Sequence, residues 1–366
     1  MNLPTVEVVI ACHDERRPIE RAVASVLQDE VAFDNVRVTV IAHGLPADVF
    51  EERLAGVKGD WRVVAFHDGI RSAAGPFNRG LDLATADYIM VMGSDDFLEP
   101  GAMAAWLAHV RLERPSVAVF RMRIQGDPIM PNPLTRIGRT HHLDAASDRL
   151  FYRTAPLALI AREEIDRLGL RMTEDLRVGE DFDFGIRLWA FARRIDFLAH
   201  AGCYVIGTDA VERTTHAPLS IEQSLAAIVR LLDDDLPARL SAAHRRALAI
   251  KLVRTSVLAA VRSRPIAADW QGGDEEVAQL RGILLRILAL APHVLTPFSR
   301  QDRPVLDGLL KNPTVAQATA DAAAADRAGR VRRWLTANPL HSFDHESTLR
   351  RYVLYFLKRD RNSPQS

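Results

Sequence analysis

Cysteine is nearly absent from this chain. Its 366 residues include two, Cys12 and Cys203. Two cysteines cannot build a disulfide framework, and neither belongs to a CxxC metal pair, so a disulfide-stapled secreted fold is excluded. The expected setting is a reducing cytoplasm. A charge excess of one sign is missing too: Lys+Arg is 47 and Asp+Glu is 47, so the formal net charge is zero. Nucleic-acid binders usually show a basic excess, and no nucleic-acid partner is expected. Long hydrophobic runs are also lacking. The most apolar later stretch, ILLRILALAPHVLTP at 283–297, is interrupted by Arg286 and Pro292 and is too short to span a bilayer. The opening, MNLPTVEVVIACHDE, has no basic segment followed by a long apolar one, so it does not read as a signal peptide.

What is present falls into two halves. Residues 5–125 alternate short β-branched runs with helical patterns. The runs are VEVVIAC (6–12), VRVTVIA (36–42), WRVVAFH (61–67), YIMVMGS (88–94) and SVAVFRMRI (116–124). Their continuous apolar character suits strands covered on both faces. Helical patterns lie at 18–28, 76–85 and 101–114. Such alternation predicts a mostly parallel sheet with helices on both sides. Residues 126–150, rich in Pro, Asp and His, read as a long loop of the kind that often carries function. From about residue 217 strand signals vanish, and segments such as SAAHRRALAIKLVRTSVLAAVRS, EEVAQLRGILLRILALA and TVAQATADAAAADRAGRVRRWL show helical periodicity. Two domains are expected, 1–216 and a helical 217–366.

Two acidic clusters stand out. In MVMGSDDFLEP (90–100), Asp95 and Asp96 follow the fourth apolar run. Adjacent carboxylates repel unless a cation joins them. At the carboxyl end of a strand, where α/β sheets bind ligands, a hard divalent ion carrying substrate phosphates is the natural occupant. The plainer reading is a solvated turn before a helix. In VGEDFDFGIRLWAFARR (178–194), Glu180, Asp181 and Asp183 fall in the first turn of a helix. Acids there are also explained by the helix dipole alone. Trp106 and Trp189 sit among helical apolar residues and read as core. His141 and His142, adjacent on the long loop, read as solvated.

Taken together, four pieces resemble the family 2 glycosyltransferases, with their GT-A, Rossmann-like fold. VVIACHDERRPIERAVASVLQ is similar to the family's opening strand and helix, and FNRGLDLATADYIMVMGSDDFLEPGAM to the approach to its metal-binding motif. RLGLRMTEDLRVGEDFDFGIRLW resembles the acceptor-side segment ending in a Glu-Asp pair, and ERTTHAPLS (212–220) the segment carrying a late His. The resemblance covers about residues 5–220 and not the helical part.

The resemblance implies a fold, an activity and a site. Asp96, with Asp95 and His216, would hold Mn²⁺ or Mg²⁺ on the diphosphate of a nucleotide-sugar donor. Asp181 would be the general base toward an acceptor hydroxyl, with Glu180 beside it. Ala11, His13 and Asp14 would line the nucleotide pocket, joined by Asn78. Departures fall at the second strand's end, where AHG with His43 replaces an acidic pair and Asp68 takes part of its role, and at Gly93, where an Asp is usual. The reaction implied is inverting transfer, with UDP as the family's commonest nucleotide, to a glycan, teichoic-acid-like or lipid-linked acceptor. The rival reading is a non-catalytic sugar or nucleotide binder whose helical half is the interaction module. A nucleotidyltransferase is disfavoured because ACHDERRP, not a Gly-rich loop, follows the first strand. The last helix, STLRRYVLYFLKRDR, mixes aromatic and basic residues. It allows peripheral membrane contact at the inner face, although docking on its own domain or in a homo-oligomer is the plainer expectation.

Overall fold

A computed structural model describes residues 4–209 and 219–359. These form two compact units. The first comprises 4–144 with 153–209, and the second 145–152 with 219–359. The segment 145–152 therefore belongs to the helical unit although it lies within the span of the other.

The first unit holds β1 (Val6–Cys12), β2 (Val36–His43), β3 (Asp60–Phe66), β4 (Tyr88–Gly93), β5 (Phe97–Leu98), β6 (Val117–Phe120), β7 (Met122–Ile124), β8 (Ala158–Ala161), β9 (Ile195–Leu198) and β10 (Tyr204–Ile206). Seven strands form one sheet in the order β3-β2-β1-β4-β8-β6-β9. Only β8 runs antiparallel to its neighbours. The remaining three make a small sheet, β5-β10-β7. This is the mostly parallel α/β sheet, with a helical C-terminal region, that the alternation predicts.

Both faces of the sheet are covered. Val6, Val8, Ile10 and Cys12 of β1 join a core with Ile19, Val23 and Val26 of the helix Ile19–Val26 and with Trp106 and Leu107 of the helix Ala102–Glu113. On the other face the helix Ala74–Leu83 presses close enough that a Cβ on Gly80 would overlap the Val9 side chain. Trp106 and Trp189 are core residues, 0% and 2% exposed.

The expected strand at 116–124 is two strands. Between them Arg121 turns its guanidinium to the Ala201 carbonyl, and β7 leaves the large sheet for the small one. The periodic stretch from 314 to 335 is likewise broken, into helices Val315–Asp326 and Arg330–Trp334, at Gly329. In the second unit Arg149, 2% exposed, and Tyr152 meet Glu346: the Arg149 Nε lies 3.5 Å from its carboxylate, and the Tyr152 hydroxyl donates at 3.1 Å. No helix among the described residues is long and apolar enough to cross a membrane.

Candidate active site

After β1 the chain steps outward to β2 and β3, then returns to lay β4 on the opposite side of β1. Strand order therefore reverses between β1 and β4, and their carboxyl ends border the crevice where such sheets bind ligands. The segments after β1 and β4 are those carrying Asp14 and the Asp95-Asp96 pair.

The two adjacent carboxylates are kept apart by separate partners. Asp95 Oδ2 lies 2.8 Å from Arg17 Nη1, and the Arg17 side chain is only 9% exposed. Arg21 Nη2 donates to the Asp95 carbonyl at 2.6 Å and also pairs with Asp209. Asp96 turns the other way. Its Oδ2 accepts the Tyr204 hydroxyl and its Oδ1 the Gly207 amide at 2.9 Å, while Tyr204 Oη accepts the Gly93 amide at 3.1 Å. Burial raises the Asp96 pKa, and the Tyr204 and Gly207 donors offset only part of that rise. Missing side chains permit this arrangement. A Cβ on Gly93 would sit 2.5 Å from Asp96 Oδ2, and one on Gly207 would overlap the Asp95 carbonyl oxygen.

Mg²⁺ and Mn²⁺ are usually held by one or two carboxylates plus substrate phosphates. Asp95 fits that donor set, because Oδ1 lies outside its bond to Arg17. Asp96, expected to hold the ion, has both oxygens engaged by protein donors in this geometry. His216, the third expected ligand, lies outside the described residues.

The nucleotide-side residues rim the same edge. Ala11 pairs with Gly93 on β4 and with Ile41 on β2. Asp14 accepts Arg16 Nε at 3.0 Å, Arg16 Nη2 at 2.9 Å and the Arg16 amide at 2.9 Å, which pulls its pKa down to about 2. Partial burial, then the nearby Arg17 charge, lowers the His13 pKa. His43 and Asp68, from the ends of β2 and β3, meet at 2.8 Å, and Asp68 also accepts the Ile70 amide at 2.9 Å. Burial works to raise the Asp68 pKa, but these donors bring it below the ordinary value.

Asn78 departs from its expected place against the donor. Its Nδ2 donates to the Met172 carbonyl and to Glu174 Oε1, each at 3.0 Å, and its Oδ1 accepts the Met172 amide at 2.8 Å. Asn78 thus fastens the segment leading to the second acidic cluster. The Thr173 amide donates to the Glu180 carbonyl at 2.7 Å, and Asp181 stands at the N-cap of the helix Phe182–Phe191. The Asp181 side chain does not cap that helix. Asp183 pairs with Arg187 one turn on, at 2.6 Å.

His141 is not merely solvated. Its Nδ1 lies 3.0 Å from Oδ2 of the fully buried Asp196, and His109 Nε2 lies 3.4 Å from the same oxygen. These three groups could face one cation. However, Arg194 Nη2 already reaches that oxygen at 2.7 Å, and Asp196 pairs near the amino ends of β9 and β6, across the sheet from the crevice. Burial would raise the Asp196 pKa, but these donors hold it far below the ordinary carboxylate range.

Arg17, Tyr204 and Gly207 were missed by motif reading. Arg17 carried one available signal, a basic pair a few residues beyond the end of β1. Tyr204 and Gly207 carried none, being more than a hundred residues from Asp96 in sequence.

Comparison with known proteins agrees with this architecture. Residues 7–169 match the family model described as glycosyl transferase family 2. The chain is 26% identical over 211 residues to the succinoglycan biosynthesis protein ExoU of Rhizobium meliloti (strain 1021), an alignment covering 53% of this chain and 60% of that relative. The structure of S. aureus TarS residues 1–349 in complex with UDP-GlcNAc superposes with a TM-score of 0.69 at 16% identity, covering 88% of this chain and 91% of that one. The same TarS fragment with UDP gives 0.68 at 15% identity, with the same coverage. At such identity the likeness is one of fold, and the fold is GT-A.

Proposed function

We propose that this chain, whose α/β unit belongs to glycosyl transferase family 2, moves a sugar from a UDP-linked donor to a hydroxyl of a cell-surface glycan, with inversion at the anomeric carbon. The observation that carries this reading is the convergence of Asp95 and Arg17 on the β1–β4 crevice, with Asp181 standing at a helix start on the segment that Asn78 anchors. A UDP-linked donor is supported by the UDP and UDP-GlcNAc complexes of the similarly folded TarS fragment. A surface-glycan acceptor is supported by the succinoglycan biosynthesis relative.

Each part of the chemistry needs a particular group. The donor's nucleotide lies along Ala11, His13, Asp14, His43 and Asp68. Its diphosphate leaves with growing negative charge. A divalent cation held by Asp95, when bound, supplies positive charge to those leaving oxygens. Arg17 holds the Asp95 carboxylate in place through their 2.8 Å contact. The acceptor hydroxyl is a poor nucleophile, and the Asp181 carboxylate takes its proton as the new glycosidic bond forms and the bond to diphosphate breaks. Attack opposite the leaving group inverts the anomeric centre. Glu180 positions the base through the backbone turn it shares with Thr173.

The test measures UDP release from UDP-sugars with and without Mn²⁺, for the native chain and for Asp181→Asn. General-base removal is expected to lower turnover by roughly 10²–10⁴-fold. The donor-induced rise in thermal midpoint should survive, because donor binding does not use the base. Near-native turnover in Asp181→Asn refutes the base assignment. Donor binding without transfer or hydrolysis for any donor tried leaves the binding-protein reading instead.

A further inference from the structure

The end of the helical unit turns an ordinary amphipathic pattern inside out. In the helix Thr348–Arg359, Leu349, Val353, Phe356 and Leu357 recur at i, i+4, i+7 and i+8, a spacing that normally faces a core. Here Val353, Phe356 and Leu357 are 40–48% exposed, and the helix's one buried residue is Leu354. The side turned toward the protein instead carries Arg351, which stacks on the Tyr152 ring at 3.7 Å and lies 3.4 Å from Glu346.

The exposure is concentrated rather than scattered. Of fourteen exposed large hydrophobic residues among those described, eight fall between 331 and 357. The helix Arg330–Trp334 joins the patch through Trp334, whose ring lies 4.8 Å from that of Tyr352. Beside them Phe343, 75% exposed, accepts Arg350 Nη1 on its carbonyl at 3.4 Å. Contiguous apolar patches of this kind mark interaction sites.

Charge selects the partner. Besides the inward Arg351, the helices Arg330–Trp334 and Thr348–Arg359 together hold six Arg or Lys, and no Asp or Glu. The acids between them are engaged internally, Asp344 with Arg246 at 2.8 Å and Glu346 as above. A two-fold contact with a second copy would set these cations against themselves. A nucleic acid would satisfy the cations but leave the apolar stripe in water. An anionic lipid surface satisfies both, taking the stripe into the acyl boundary and the arginines among the headgroups.

We infer that the 330–359 segment is a docking surface for an anionic lipid bilayer. The inference stands apart from the transfer reaction. The test sediments the full chain with vesicles of phosphatidylcholine alone and of phosphatidylcholine with phosphatidylglycerol. Binding is expected to the anionic vesicles and to weaken as salt rises. Val353→Ser with Leu357→Ser, and separately Arg350→Gln with Arg359→Gln, should each weaken it about tenfold or more. All four positions are exposed, so thermal midpoints should hold; if a variant unfolds, the headgroup and salt arms on the native chain still decide. Absence of vesicle binding, binding indifferent to headgroup charge, or binding unchanged in folded variants overturns the inference. So does a concentration-dependent dimer abolished by the serine pair, which would make the face a self-contact.

Discussion

Replacing Tyr204 by Phe tests whether Asp96 is a structural carboxylate as well as a neighbour of the site. The ring is fully buried and stacks on Phe120 with centroids 5.6 Å apart, and Phe120 in turn stacks on Trp106 at 4.1 Å. Phenylalanine keeps that packing, so no cavity opens and the change isolates the hydroxyl. Two bonds are lost, one donated to the Asp96 carboxylate and one accepted from the Gly93 amide. A hydrogen bond to a charged group is worth about 1.5–3 kcal/mol, and a half-buried amide left unsatisfied adds up to about 1 kcal/mol. The expected loss is therefore about 1.5–4 kcal/mol. Urea unfolding followed by tryptophan fluorescence should show a lower midpoint at unchanged slope. In an Asp96→Asn background the same hydroxyl meets a neutral amide, so the two changes should couple by about 1–2 kcal/mol. A loss below about 0.5 kcal/mol, or strict additivity with Asp96→Asn, would show that the pair does not hold the β4–β10 junction.

Other consequences are as open to measurement. Gly207→Ala places a methyl on the Asp95 carbonyl, and overpacking of that kind costs about 1–3 kcal/mol. Its thermal shift with UDP and Mn²⁺ should shrink along with its own midpoint. Asn78→Ala should lower kcat while leaving the donor KM near native, because its bonds go to the acceptor-side segment; a rise in donor KM alone would restore its original assignment to the donor. Glu346 contributes to the acid limb of stability. Burial alone would raise its pKa, but His345, Arg351, Arg149 and Arg254 bring it from 4.5 down to about 2. A carboxylate depressed in the folded state stabilises above its unfolded pKa. About 3 kcal/mol should therefore be present above pH 4.5 and be lost as pH falls toward 2. Glu346→Gln should make that limb shallower in a pH series of urea midpoints.

Long, uniformly apolar strands were legible in the sequence because burial on both faces leaves a pattern that few other elements produce. β1, β2 and β4, buried along nearly their whole length, fall where such runs lie, whereas β3, at the sheet edge, has no fully buried residue and showed only through its β-branched run. β8, β9 and β10 did not show, being three or four residues long, and β9 carries the buried Asp196 in its middle. Strands that short are fixed by their neighbours rather than by their own composition. The acidic pair at the end of β4 was legible for the same reason as the strand. Which carboxylate turns outward was not, because Arg17, Tyr204 and Gly207 decide it and only the folded topology brings them near. The role of Asn78 was hidden similarly, since its partners lie 94 and 96 residues away. The last helix meets its own unit through Leu354 and Arg351, as its plainer reading expected, but which of its residues stay exposed was not legible, because periodicity reports a stripe and not the direction it faces.

The short piece from 145 to 152 constrains how this molecule can be rearranged. Phe151 lies edge-on to the His244 ring, and the Ser147 carbonyl contacts His345 Nε2 at 3.0 Å, so the piece is part of the helical unit's own packing. Cutting the gene once near residue 216 would release a fragment still bearing Phe151 and Tyr152 but without His244, Glu346 and Arg351, which they meet. Exchanging the helical half between related enzymes thus requires two junctions that change together. A lineage that diversifies by shuffling would be expected to replace both pieces or neither.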